Sequence, residues 1–206
     1  MQPKQVPDNK TGVPLAHYKQ QYAAADPLEM SGRTGIYWNA DRGVFSFTLL
    51  GKEAECTWPE LSLRLTASGQ ELKPAAAILI ARYLTEGRAA VGTGAFLDYA
   101  ELPWGQVYNR NFDGRCRKRL AGTFGDRLTV FAEACESAGG HPIKVGDCAY
   151  ELQFLPGLWL RFIIWERDEE FPPSAQILFS DNFPHAFTAE DDCVVVETAL
   201  SLLMMK

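Results

Sequence analysis

The chain has 206 residues, 47% hydrophobic and 22% charged, which excludes a disordered or low-complexity polypeptide and supplies a core that needs no disulfide staples. Its 20 Lys and Arg against 26 Asp and Glu leave a net charge of −6, which argues against sequence-independent nucleic-acid binding, because that function needs surplus cations to neutralise phosphates. The apolar runs fall short of the roughly 20 residues that span a bilayer, and the N-terminus is polar, so a cytoplasmic protein with no membrane partner is expected.

Residues 1–12 read as a loose, disordered polar tail, and 13–206 as a single α+β domain. Pro14 opens a helix carrying Leu15, Tyr18 and Tyr22, with a break at Asp26-Pro27. From Gly35 the period becomes two. A strand to Asn39 and a turn at Asp41 to Gly43 lead to Phe45, Phe47 and Leu49. Gly51-Lys52 suits a two-residue hairpin turn, which sets Leu50 against Glu53, Leu49 against Ala54, Phe47 against Cys56 and Phe45 against Trp58. Lys73-Pro74 through Glu86, with Gly87 after it, reads as a helix turning Ile80, Tyr83 and Leu84 inward.

Gly92-Thr93-Gly94 is a turn and not a dinucleotide fingerprint, since Leu97 stands where a third glycine belongs. Phe112, Cys116, Leu120 and Phe124 make one helical stripe, and a second helix from Gly125-Asp126 carries Leu128, Phe131, Ala132 and Cys135 up to Gly139-Gly140. Ala149 to Trp165, split at Pro156-Gly157, and Ala175 to Phe179 are strands. Thr188 to Asp191 is a capping box ahead of an apolar helix running through Met205. Without regular β-α-β alternation, an antiparallel or mixed sheet with helices mainly on one face is expected.

Four groups of residues can carry chemistry. Glu166, Asp168, Glu169 and Glu170, braced by Pro172-Pro173, end a buried strand; Asp168 and Glu170 would share a face as acid/base groups, or would be solvated charges that stop edge pairing. Asp181, Asn182 and His185 form a polar loop, and Asp168, Glu170, Asp181 and His185 together offer the oxygen and imidazole ligands that a divalent metal accepts. Arg110, Arg115, Arg117, Lys118 and Arg119 are dense for an acidic chain: Arg110, Arg115 and Arg119 would hold an anionic group, unless these cations are consumed in intramolecular pairs. Arg161 shares a strand face with Trp159, Ile163 and Trp165, placing its guanidinium between two indoles to stack, pair with an acid or bind an anion beside Trp165.

The five cysteines, Cys56, Cys116, Cys135, Cys148 and Cys193, contain no C-x-x-C pair. They read as small buried hydrophobes, although two can still meet in the fold. A G-x-S-x-G elbow, a Walker loop and a recognisable Cys/His nucleophile pair are all missing.

The segment Tyr108-Asn-Arg-Asn-Phe-Asp-Gly-Arg-Cys-Arg-Lys-Arg-Leu120, the Gly146-Asp147 turn and Trp165-Glu-Arg-Asp-Glu-Glu-Phe-Pro-Pro173 resemble a bacterial and archaeal family known as domain of unknown function 3786. Ile177-Leu-Phe-Ser-Asp181, His185 and the Thr188 cap extend the resemblance from about Leu15 to the last helix. It implies an organism among the anaerobes and kinship with proteins that carry an extra four-cysteine iron-sulfur module of the kind associated with corrinoid methyl transfer. The first cysteine here is Cys56, so no iron-sulfur cluster is expected in this chain.

The leading expectation is an anionic small-molecule-binding domain, extending to a metal-assisted enzyme, in which Asp168, Glu170 and His185 face Arg110, Arg115 and Arg119 across a hollow. The alternative is an accessory module docking through its charges on a redox or methyl-transfer protein.

Overall fold

A computed structural model describes residues 12–205. The expected tail lies outside the described residues apart from Gly12, which already opens a helix. The described residues divide into two compact units, one of residues 12–46 with 54–88 and the other of residues 47–53 with 89–205.

In the first unit, α1 (Gly12–Ala24) is followed by a second helix that the break at Asp26-Pro27 concealed. Asp26 accepts a hydrogen bond from the Leu28 amide at 2.7 Å and caps α2 (Pro27–Thr34), with Pro27 in the first turn, where its missing N–H costs nothing. A four-stranded sheet follows in the order β1 (Tyr37–Asn39), β2 (Val44–Leu49), β3 (Lys52–Thr57), β4 (Leu63–Leu65). Helix α3 (Pro74–Glu86) buries Ile80, Tyr83 and Leu84 as expected. Gly87 after it is extended and not left-handed. The last turn is instead capped by Arg33, whose guanidinium donates to the carbonyls of Leu84, Thr85 and Gly87 at 2.7 to 2.8 Å.

The hairpin turn sits one residue earlier than the Gly51-Lys52 pair suggests. Leu50 and Gly51 both have positive φ, 47° and 73°, the conformation of a two-residue mirror-image turn. Leu49 therefore stands across from Lys52, and the Thr48 hydroxyl reaches the Glu53 carboxylate at 3.0 Å. Each partner moves by two positions, which preserves the inward face, and Phe45, Phe47, Leu49, Ala54 and Cys56 are all buried.

The second unit holds an antiparallel five-stranded sheet in the order β5-β9-β8-β7-β6, formed by β5 (Phe96–Asp98), β6 (His141–Pro142), β7 (Cys148–Leu155), β8 (Leu158–Trp165) and β9 (Ser174–Ser180). Tyr150, Phe162 and Ile177 align across three strands, as do Leu152, Leu160 and Phe179, and all six are buried. That apolar face meets the helices: Phe131 packs edge-on against Tyr150 at 5.8 Å and Phe112 lies 5.9 Å from Phe179. The chain is thus α+β with two antiparallel sheets. Among the described residues no helix is long and apolar enough to cross a membrane.

The helical stripe needs a device to stay buried. In a regular α-helix each four-residue step overshoots a full turn by about 40°, so Phe124 would have swung about 120° away from Phe112. A π turn at Asp113–Arg117, between α4 (Gly105–Phe112) and α5 (Lys118–Phe124), takes up the excess, and Phe112, Cys116, Leu120 and Phe124 all stay buried. Helix α6 (Leu128–Ser137) follows, then α7 (Phe183–Ala186) after β9, and α8 (Ala189–Leu203), which opens on the expected capping box between Thr188 and Asp191.

Asp192, next in α8, is 2% exposed and its Oδ1 has no hydrogen-bond partner. Burial above all, and then the neighbouring Asp191 and Cys193, hold its carboxyl well above the ordinary value of 3.8. Between 3.8 and that raised value the folded protein carries a proton that the unfolded chain has lost, so stability falls as pH rises across the window. Asp192→Asn should match the parent at about pH 3.5 and exceed it progressively toward neutrality, by about 1.4 kcal/mol for each pH unit inside the window, because the asparagine releases no proton on unfolding. Urea melts across that range test the sign; a difference independent of pH would contradict it.

Candidate functional site

The acidic segment after β8 is occupied with its own backbone. Oδ1 of Asp168 accepts hydrogen bonds from the amides of Glu170 (2.8 Å) and Phe171 (2.6 Å), while the Asp168 amide donates to the Phe171 carbonyl. Arg167 forks onto Asp126 at 2.7 and 2.8 Å, and Pro173 closes on Gly125, so the segment is braced against the α5–α6 corner. His185 lies exposed on α7. Among the described residues no three His, Cys, Asp or Glu side chains gather as a metal would require, so Asp168, Glu170, Asp181 and His185 do not assemble a ligand set.

Four of the five cations are used inside the molecule. Arg115 makes a two-pronged pair with Glu197 of α8 at 3.0 and 2.9 Å. Arg117 holds both oxygens of Asp98 at 2.8 Å and Asn109 at 2.9 Å, with its guanidinium 5.0 Å from the centre of the Phe112 ring. Lys118 pairs with Asp113, and Arg119 reaches the Ser201 hydroxyl at 3.5 Å. These bonds tie the π turn and α5 to α8 and β5, and Arg110 points to solvent. The reading of this segment as intramolecular pairing describes what the geometry contains, and the anion grip of Arg110, Arg115 and Arg119 is not assembled in it.

A hollow does form elsewhere in the second unit, on the sheet face opposite the helices. Arg161 of β8 is directly across from Glu151 of β7, and its Nε donates to the Glu151 carboxylate at 2.8 Å. Its guanidinium carbon lies 3.7 Å from the centre of the Phe96 ring, so it stacks on a phenyl group and not between Trp159 and Trp165. Trp165 is half-buried at the end of β8, in register with Ser174. Phe96, Trp159, Arg161 and Glu151 wall a cavity of about 440 Å³, closed on one side by the chain at 90–94 and by Asn182. That volume falls in the range of small-molecule pockets, and the hollow stands open to solvent on its other side.

The loop foreseen at Asp181 and Asn182 builds the rim. Asp181 accepts two bonds from the Thr93 amide at 3.0 and 3.2 Å and a short one from the Thr93 hydroxyl. A Cβ at Gly92 would stand 2.8 Å from the Asp181 carboxylate, so a larger residue there would have to displace that side chain. Buried Asn182 donates to the carbonyls of Ala90 (2.8 Å) and Gly157 (2.9 Å) and accepts from the Ser180 hydroxyl (2.6 Å), which itself accepts from the Trp159 amide. The Gly92-Thr93-Gly94 turn is therefore a wall of the pocket. Phe96 and Glu151 carry no signal in the sequence that marks them as its lining.

No curated protein and no solved structure matches the chain. A family model described as Domain of unknown function (DUF3786) matches residues 26–201, which include the whole helical segment, the acidic knot, the hollow beside Arg161 and the α8 cap. The chain belongs to the DUF3786 family.

Proposed function

We propose that the second unit binds a small planar anion in the hollow formed by Arg161, Trp159 and Phe96. The observation that carries the reading is the preorganised guanidinium: it is stacked on Phe96 and held through Nε by Glu151, so little side-chain freedom remains to be lost when an anion arrives. Trp159 offers a ring surface in the same hollow, which favours an aromatic or conjugated carboxylate over a compact anion. Glu151 partly neutralises the guanidinium and so disfavours ligands of high negative charge. The pocket supplies binding and orientation.

Benzoate and inorganic phosphate serve as probes, read by the indole resonance of Trp159 and by thermal shift. Benzoate should move the Trp159 signal and raise the melting temperature, phosphate should do so more weakly, and Arg161→Lys should lose at least tenfold in benzoate affinity because an ammonium cannot form the planar fork. A Trp159 signal unmoved by millimolar benzoate, or an undiminished response in Arg161→Lys, would remove the proposal. Docking on a redox or methyl-transfer protein remains the second reading, favoured by Trp104, Val107 and Tyr108, which are exposed along α4 next to Arg110. Docking through these apolar side chains would withstand added salt, whereas the ionic contact of benzoate with Arg161 would weaken.

A further inference from the structure

We infer that a groove among the helices of the second unit is a binding site for a medium-chain alkyl carboxylate, with Lys52 holding the head and α6 and the end of α8 holding the chain. The groove encloses about 590 Å³, within the range of small-molecule sites, and lies on the helical side of the sheet, separate from the Arg161 hollow. Along α6, Val130, Ala134 and Ser137 follow at steps of four and three, so they present one face to the groove, about 10 Å long. Phe124 and Leu203 are buried beneath it.

Two large apolar side chains meet water inside this groove: Val130 is 47% exposed and Met204 45%. A chain laid along the α6 face removes both from water, which supplies the driving force for binding. Met204 and Met205 are unbranched and polarizable, so they can follow the bends of a flexible chain where rigid side chains could not.

The charge of the groove selects the head. In a chain of net charge −6, its lining sets Lys52 and Arg127 against the single acid Glu133. Arg127 spends Nε and a terminal nitrogen on the Thr123 carbonyl. Lys52 is half-buried, and among the described residues its ammonium has no hydrogen-bond or ion-pair partner. A carboxylate supplies the counter-ion that this ammonium lacks. The adjoining Gly51 lies against the Ala138 carbonyl just past the end of α6, whereas Arg127 stands at the start of that helix, so the two cations mark opposite ends of the α6 face. The chain therefore runs from Lys52 toward Arg127 and ends against the methylenes of the arginine stem. A neutral apolar molecule would leave Lys52 without a counter-ion, and a compact anion would leave Val130 and Met204 in water.

The full-length chain, methyl-labelled at methionine, is titrated with hexanoate, octanoate, decanoate and decanol and followed by NMR. Decanoate should move the methyl resonances of Met204 and Met205 and leave that of Met30, buried in the first unit, where it is. Affinity should rise about tenfold from hexanoate to decanoate, as four more methylenes, each buried on one side, require. Lys52→Gln should weaken decanoate about tenfold by removing a charge-assisted hydrogen bond, and should leave decanol binding unchanged. Its urea midpoint should match that of the parent, because no described side chain bonds to Lys52. Met204 and Met205 methyls unmoved by millimolar decanoate, or hexanoate and decanoate bound alike, would remove the site. Decanol bound as tightly as decanoate by the parent chain, or decanoate binding undiminished in Lys52→Gln, would overturn the assignment of a carboxylate head.

Discussion

Asn182→Ala should destabilise the second unit by about 3 kcal/mol, because three buried hydrogen bonds of about 1 kcal/mol each are lost together. The Asn182 amide donates to Ala90 and Gly157, and its oxygen accepts from Ser180, so alanine leaves two carbonyls and a hydroxyl without their partner. The effect should be local as well as global. Ala90 belongs to the pocket wall and Gly157 to the turn between β7 and β8, so amide exchange should accelerate around 90–94 and in that turn more than in the centre of β8. Asn182→Asp keeps an acceptor for Ser180 but loses both donations, and should behave nearly as badly. A urea midpoint unchanged in either variant would mean that the rim is held by something other than Asn182.

Gly51→Ala should cost about 3 kcal/mol, of which about 1 kcal/mol is the left-handed backbone and the rest steric overlap. At φ 73° the glycine is already in the region that disfavours a Cβ. That Cβ would stand 2.2 Å from the Ala138 carbonyl oxygen and 2.6 Å from its carbon, backbone atoms just past the end of α6. Leu50 beside it is buried and bonded through its amide to the Phe154 carbonyl at 3.0 Å, so the turn cannot swing clear without giving up that anchor. Gly157→Ala is the control. Its φ is 80°, but nothing lies within 4 Å of the added Cβ, so it should show the backbone strain alone, about 1 kcal/mol. Equal urea midpoints for the two variants would show that the approach to Ala138 costs nothing.

The elements were readable where a pattern repeats within a few residues. The alternation in β2 and β3, the stripe from Phe112 to Phe124 and the Thr188 capping box all depend on near neighbours. Even the displaced hairpin turn left the inward face intact, since strands have period two and the error was two. Helix α2 was missed because Asp26-Pro27 can mean an end or a start, and only the bond from Leu28 distinguishes them. Strands β5 and β6, of three and two residues, are too short to show a period at all.

The site was much less legible. A regular two-residue turn at Pro156-Gly157 with Leu155 across from Leu158 would place Leu152 across from Arg161. The irregularity between Gln153 and Leu155 shifts the register by one and brings Glu151 there instead. Phe96 reaches the guanidinium from a strand more than sixty residues earlier in the chain. The arginines near α5 were just as ambiguous, because Arg115 meets Glu197 and Arg117 meets Asp98 only after α8 and β5 are in position.

The amino-acid sequence by itself determined the α+β class, the inward faces of the main strands and helices, and the kinship to the family, since each rests on local periodicity or on contiguous motifs. The tertiary structure decided which charges are paired and that Arg161 stacks on Phe96 beside Glu151. The physical reason is range: apolar burial needs only the right parity, whereas an ion pair or a ring contact needs atoms from distant segments placed to within an ångström.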